Sequence, residues 1–207
     1  MRAVWKGAFF MIELIKKEIH MNRQRGTAVS QLTLDDDFIV PDALDDAVQI
    51  LLSDGEVQIE NSRIQGEKVL IRGKLVFRVL YRRESGGLQA MGGEIPFEET
   101  VNVPELSERD YTQIVWNIED LNITMIHSRK LSAKAVLTLT VRAESRVDAQ
   151  AAADVETDDA GLQVLKRSVP AATLAVRRKD IYRVREEVSV SANKPNIETI
   201  LWQEMRL

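Results

Sequence analysis

The sequence contains no cysteine. Disulfides, zinc–thiolate centres and thiol catalysis are therefore excluded, and the absence fits a reducing compartment such as the cytosol. Histidine is nearly as scarce: His20 and His127 lie far apart, with no His or Glu at ligand spacing, so surface or hydrogen-bonded histidines are expected rather than a metal centre. Aromatic residues make up only 5% of the chain, which is little for a surface that stacks on sugars. No window approaches the roughly 18 consecutive apolar residues of a membrane span. The opening MRAVWKGAFFMIELIKKEIH is interrupted by Glu13, Lys16 and Lys17 and lacks a small-residue cleavage site, so it is not read as a signal peptide; Met11 is an alternative start. Basic residues are scattered and the net charge is -4, so nucleic acid is not an expected partner.

Signatures of common chemistry are missing too. There is no G-x-S-x-G, H-E-x-x-H or G-x-G-x-x-G. GEKVLIRGK superficially resembles a phosphate-binding loop, but six residues separate Gly66 from Gly73 and no Ser or Thr follows Lys74, which itself sits in a strand pattern. No catalytic, cofactor-binding or metal-ligating residue is assigned.

What is present is a globular composition, 44% apolar and 29% charged over 207 residues, enough for one full domain and something smaller. From Val57 to Ala143 the dominant period is two. In VLIRGKLVFRVLY, Val69, Ile71, Leu75, Phe77, Val79 and Tyr81 alternate with Arg72, Lys74 and Arg78, predicting a long strand with one buried face. Gly73 falls on that apolar face, where a missing side chain predicts a bulge or a close neighbour. The paired glycines Gly86, Gly87, Gly92 and Gly93 predict turns leading into IPFEETVNV, with Ile95, Phe97, Val101 and Val103 inward. Ile114, Trp116 and Ile118, then Leu121, Ile123 and Met125, share a face on either side of a phase change at Glu119 and Asp120. Trp116 and Trp202 are expected in the core. Ser128 to Lys130 read as a polar turn, with contact to an acidic partner as the other reading. After it Leu131, Ala133, Ala135, Leu137, Leu139 and Val141 line one face.

An internal repeat carries the most information. DDFIVPDALDDAVQILLS from Asp36 matches EEVSVSANKPNIETILWQ from Glu186 in pattern, without a gap, 150 residues further on. The spacing of Ala47, Ile50 and Leu51, and of Ile197, Ile200 and Leu201, predicts a short helix after the entry strand in each copy. The repeat also bears on the aspartates: Asp36 and Asp37 correspond to Glu186 and Glu187, but Asp42, Asp45 and Asp46 correspond to Ala192, Pro195 and Asn196. The carboxylates are thus read as a helix cap and solvated face, with Asp42 as N-cap, in preference to a calcium loop, whose ligand spacing is missing.

The expected fold is mainly β: an antiparallel sandwich or barrel-like module with a short helix after the entry strand, then the start of a similar module. The first β domain spans residues 12–143, an acidic Ala-rich loop or linker 144–161, and a β segment with an incomplete second repeat 162–207.

LDDDFIVPDALDD, GEVQI, KVLIRGKLVFRVLYR, GGEIPFEETVNV, SRKLSAKAVLTLTV and KDIYRVREEVSVSANKPNIETILW together resemble the SPOCS domains of spore-forming clostridia, found in SipL-like morphogenesis, coat and exosporium proteins. The resemblance implies tandem β modules, no enzyme activity and no cofactor. It also implies a scaffold at the forespore surface in the mother-cell cytoplasm, in the coat or exosporium, whose partners are other envelope morphogenetic proteins, the polymerising ATPase of the spore surface, or further copies. A peptidoglycan- or carbohydrate-binding module at the cortex or cell wall is the alternative, and a hydrolase built on Asp36 and Asp37 a distant third.

Overall fold

The computed structural model describes residues 12–158, 161–170, 172–178 and 180–204; Met11 and the residues before it lie outside. Six strands follow in order: β1 (Ile12–Ile39), β2 (Ala47–Gln65), β3 (Lys68–Arg83), β4 (Leu88–Asn102), β5 (Tyr111–His127) and β6 (Lys130–Thr157). They form two three-stranded antiparallel sheets, ordered β1-β6-β5 and β2-β3-β4. The described residues divide into two compact units, 25–143 with 183–204, and 12–24 with 144–182.

In the first unit the inner faces of both sheets share one core. Its members are the residues that the alternation places inward: Val69, Ile71, Leu75, Phe77 and Val79 on β3, Ile95, Phe97 and Val101 on β4, and Leu131, Ala133, Ala135, Leu137, Leu139 and Val141 on β6. Every second side chain is removed from water, at about 25 cal/mol per Å² of apolar surface, which is why the period of two is so clean on these strands. Their outer faces carry cross-strand ion pairs: Arg72 Nε donates to Glu98 at 2.7 Å and Lys74 Nζ to Glu94 at 2.6 Å.

Gly73 meets both expectations for it. Residue 60 is the extra residue of a bulge in β2, between the pairs Ile59 with Gly73 and Asn61 with Arg72. A Cβ at Gly73 would lie 2.7 Å from the Gln58 carbonyl oxygen and 2.8 Å from Phe97 Cζ. Phe97 is the direct cross-strand partner of Gly73, and Phe77 of Gly93, so each ring covers the glycine opposite.

Four expectations about secondary structure are corrected. No helix follows the entry strand: residues 47–52 begin β2. The helix-like spacing from Ala47 to Ile50 arises from bulges, because Val48 and Leu51 are inserted at register shifts against β3 and reset the alternation. Of the four paired glycines, Gly86 and Gly87 have positive φ, at 91° and 82°, whereas Gly92 and Gly93 lie inside β4, where they make room for packing rather than a turn. The stretch from Glu144, expected as a loop, is strand as far as Thr157, because its alanines and acids keep a two-residue alternation alongside β1. By contrast the described residues between 162 and 204 contain no strand, although IYRVREEVSV is patterned as one. A strand pattern without a neighbour to take its N–H and C=O groups does not become a strand.

The second unit is built from the outer halves of β1 and β6 with the chain up to Tyr182. Among its described residues no hydrophobic side chain is fully buried. Polar contacts carry it: Asn22 donates to Glu144 at 2.8 Å, Lys166 pairs with Asp154 at 2.6 Å, and Arg177 also pairs with Glu144. The Leu174 N–H donates to the His20 carbonyl at 2.8 Å.

Candidate interaction surface

The aspartate-rich entry VPDALDDA folds as a turn, closed by the Leu44 N–H on the Pro41 carbonyl at 2.9 Å. Val40 and Ala47, at its two ends, are buried with Tyr81 in a small cluster of their own. The tip of the β5–β6 hairpin holds this turn in place. Val40 N donates to the Arg129 carbonyl at 2.9 Å and Ala47 N to the Ser128 carbonyl at 2.8 Å, so the backbone donors at both ends of the turn are satisfied. In return the Arg129 guanidinium donates to the Leu44 and Val40 carbonyls at 2.9 and 3.1 Å, and to Asp46 and Asp42 at 2.9 and 3.1 Å. Arginine suits this task because its planar fork offers several donors at fixed angles.

The aspartates of the cluster meet cations or donors, Asp42 and Asp46 sharing Arg129 and Asp36 accepting from the Asp37 N–H at 2.8 Å. Asp35 pairs with Lys134 at 3.0 Å, Asp37 with Lys130 at 2.8 Å, and Asp45 with Arg83 at 3.5 Å. Ser128 Oγ donates to Asp46 at 2.8 Å, and the Tyr81 hydroxyl to the Asp45 carbonyl at 3.1 Å. The carboxylates are spread along the turn and strand ends instead of converging, and among the described residues no group of three or more His, Asp or Glu is placed to hold a metal. Asp42 is in a turn and caps no helix. The expected polar turn at Ser128–Lys130 is present, and the acidic groups it meets belong to the same chain.

Hydrogen bonds from Arg129, then Ser128, hold the Asp46 carboxyl below its ordinary value of 3.8, and the Lys130 ammonium does the same for Asp37. Burial pushes the Tyr81 hydroxyl up. Because both carboxyls titrate lower in the folded chain than in the unfolded one, their pairs contribute stability fully present above the unfolded value and lost as pH falls through the folded one. The thermal midpoint is therefore expected to hold from neutral pH down to about pH 5 and to decline below about pH 4, with a shallower decline in Arg129→Ala; differential scanning calorimetry at several pH values checks this. Arg129→Ala at neutral pH is expected to leave the sheets folded while the Val40 and Ala47 amides exchange with solvent faster, on the order of tenfold, the scale of one net hydrogen bond. Hydrogen–deuterium exchange reads it, and unchanged exchange at those two amides would show that the arginine does not hold the turn.

The remaining candidates fall elsewhere. His20 Nδ1 lies 2.7 Å from Asp148, with Arg146 Nε also 3.1 Å from that carboxylate. This exposed pair resembles a histidine–carboxylate relay, but Ser145 is buried on the opposite face of β6 from Arg146 and Asp148. His127 Nδ1 accepts from the Arg129 N–H at 3.2 Å. Gly66 and Glu67 form the β2–β3 turn, and Lys74 is engaged by Glu94, so the phosphate-loop pattern is a hairpin. Trp116 is 37% exposed instead of buried: it shares the inward parity of Ile114 and Ile118, but β5 is an edge strand and the indole extends past the core. Trp202 is half-buried beneath Arg78, not in the core. Val48, Leu51 and Leu52 are exposed on the edge strand β2, an apolar patch beside the entry turn.

The turn itself recurs. The Lys194 N–H donates to the Ser191 carbonyl at 2.9 Å, the bond of Leu44 to Pro41 displaced by 150 residues. Sequence alone signalled this repeat; the arginine that holds the first copy had no such signal, since nothing local ties Arg129 to residues 40–46.

Residues 46–126, from the start of β2 through nearly all of β5, match the family model described as SipL, SPOCS domain. No curated protein and no solved structure matches the chain. Among the described residues no helix is long and apolar enough to cross a membrane.

Proposed function

We propose that this chain, which carries a SPOCS domain and is thereby a sporulation-associated protein, is a non-catalytic scaffold in assembly of the spore coat or exosporium. It acts through protein–protein contacts of its β modules, with other envelope morphogenetic proteins, the polymerising ATPase of the spore surface, or further copies as partners. The observation that supports this most is the apolar patch of Val48, Leu51 and Leu52 on an edge strand, beside a turn fixed by Arg129. An edge strand offers unpaired backbone groups and the patch offers area, the two ingredients of strand addition by a partner. The charged groups serve the same reading, because the aspartates are engaged in pairs that hold the module together. Spores formed without the protein should show missing or detached outer layers by electron microscopy. Spores with a complete envelope would sink the scaffold role.

One observation favours the peptidoglycan-binding alternative: Tyr111 and Trp116, both exposed on β5, are aromatic faces of the kind that stack on sugars. Co-sedimentation with purified cortex peptidoglycan separates the readings. Retention that falls in Trp116→Ala supports sugar binding; passage without retention supports the scaffold.

A further inference from the structure

The outer face of the β2-β3-β4 sheet contains a built docking position around Arg78. In the register, Asp54 on β2, Arg78 on β3 and Gly92 on β4 stand side by side, and the next row is Leu52, Leu80 and Ala90. Asp54 fixes the guanidinium with a 2.9 Å bond. Gly92 leaves the opposite flank of Arg78 without a side chain, and Leu80, although it points outward, is buried. Into this position comes the chain itself: Arg78 lies 5.0 Å from the centroid of the Trp202 ring, and its Nη1 donates to the Gln203 carbonyl at 2.7 Å. One guanidinium thus reads an aromatic face and the peptide group after it.

Upstream of the occupant the chain is tied down again at Arg177, which pairs with Glu144. Ile197 and Ile200, just upstream, are exposed, as is Val188 at 86%, and the described residues between 162 and 204 contain no strand. The chain from Arg177 to Trp202 reaches about 85 Å when extended, far enough to leave its own module. The same segment is the second copy of the entry motif, with Trp202 at the place of Leu52.

We propose that the Asp54–Arg78–Gly92 position is a socket for the Ile200–Gln203 segment, which fills it within one molecule and passes into the socket of a second copy when molecules are concentrated. The contact places the segment of one copy on the sheet of another, so it closes as a two-fold exchanged dimer where two copies reciprocate and extends head to tail where they do not. This rests on the reading of the chain as an interaction protein and supplies one partner, a second copy. Within one molecule the tether keeps the segment at high effective concentration, so exchange requires crowding such as an assembling layer provides.

The test uses the full chain carrying Trp202→Ala, which empties the socket, and a fluorescein-labelled peptide of residues 196–204 read by anisotropy. The peptide should bind this variant, at least about tenfold more weakly to the wild type, whose socket is filled, and at least about tenfold more weakly to Arg78→Gln/Trp202→Ala. Wild type should also form larger species in sedimentation velocity as concentration rises, and Arg78→Gln should not. Circular dichroism of each variant confirms folding, and Asp54→Asn provides a second route to a weakened socket. No binding to folded Trp202→Ala, equal binding with and without Arg78, or a wild type that stays monomeric at millimolar concentration would overturn the proposal. These outcomes stand apart from the envelope phenotype of cells lacking the protein, which tests the scaffold reading and leaves the socket untouched.

Discussion

Gly73→Val is expected to abolish cooperative folding. The glycine has an ordinary strand backbone, so the cost comes from space. A Cβ there would lie 2.7 Å from the Gln58 carbonyl oxygen and 2.8 Å from the Phe97 ring, and the bulge that brings Gln58 so close is fixed by the register on both sides. Overpacking by one methyl typically costs about 1–3 kcal/mol, so Gly73→Ala should fold with a lowered melting temperature. The branched side chain of valine adds bulk against backbone that cannot retreat without breaking the β2–β3 ladder. With total stabilities of about 5–15 kcal/mol, a loss beyond about 4 kcal/mol is enough to lose the native state of a modest domain. Thermal melts followed by circular dichroism provide the check; a valine variant that melts within a few degrees of wild type would show that the bulge yields.

Phe77→Ala is expected to cost about 3–5 kcal/mol, as removal of a fully buried aromatic does. Phe77 is completely buried and packs edge to face on Phe38, with ring centroids 4.6 Å apart. Its ring also fills the space above Gly93, where a Cβ would lie 2.5 Å from Phe77 Cζ. The two positions should therefore be coupled. Gly93→Ala destabilises the wild type by collision with the ring, but in the Phe77→Ala background the added methyl enters the cavity and costs less, with its 2.8 Å approach to Phe38 Cδ1 left. A double-mutant cycle in urea should give a coupling of about 1–3 kcal/mol, whereas simple additivity would mean that the ring and the glycine do not share this space.

These pairs also show what the sequence contained and what was missed in it. Gly73 and Phe77 on β3, and Gly93 and Phe97 on β4, are two G-x-x-x-F patterns that meet antiparallel, each glycine under the other strand's ring. Read together, they specify the register of the hairpin. The buried faces of β3, β4 and β6 are legible where one side of the strand faces the core, from Val69 to Tyr81, Ile95 to Val101 and Leu131 to Ala143, because burial there imposes a period of two. The beginning of β2 was misread as helix because bulges at Val48 and Leu51 place inward residues three apart, a spacing that local sequence cannot distinguish from a helical turn. IYRVREEVSV shows the opposite failure, a strand pattern that finds no neighbour. Pairing is a tertiary fact, and propensity yields to it.

The site was legible to a similar depth. The replacement of Asp42, Asp45 and Asp46 by Ala192, Pro195 and Asn196 in the matching stretch is the sequence signal that the aspartates serve structure, and both stretches contain a turn closed by the same i to i+3 bond. Their cations were hidden, because Arg129, Lys130 and Lys134 reach residues 35–46 only once β6 is laid beside β1. Arg78 was equally hidden: on the strand pattern it is one more outward charge, and only the fold shows Gly92 beside it and the Trp202 ring against it.

The claim that this SPOCS-domain chain builds the spore envelope is tested most directly by following a fluorescent fusion of the full chain through sporulation in the source organism. A fusion that gathers at the forespore surface as a focus or ring and stays with the outer layers of the released spore is the predicted result. A fusion that remains evenly spread through the mother cell, and is absent from purified spores, would contradict it.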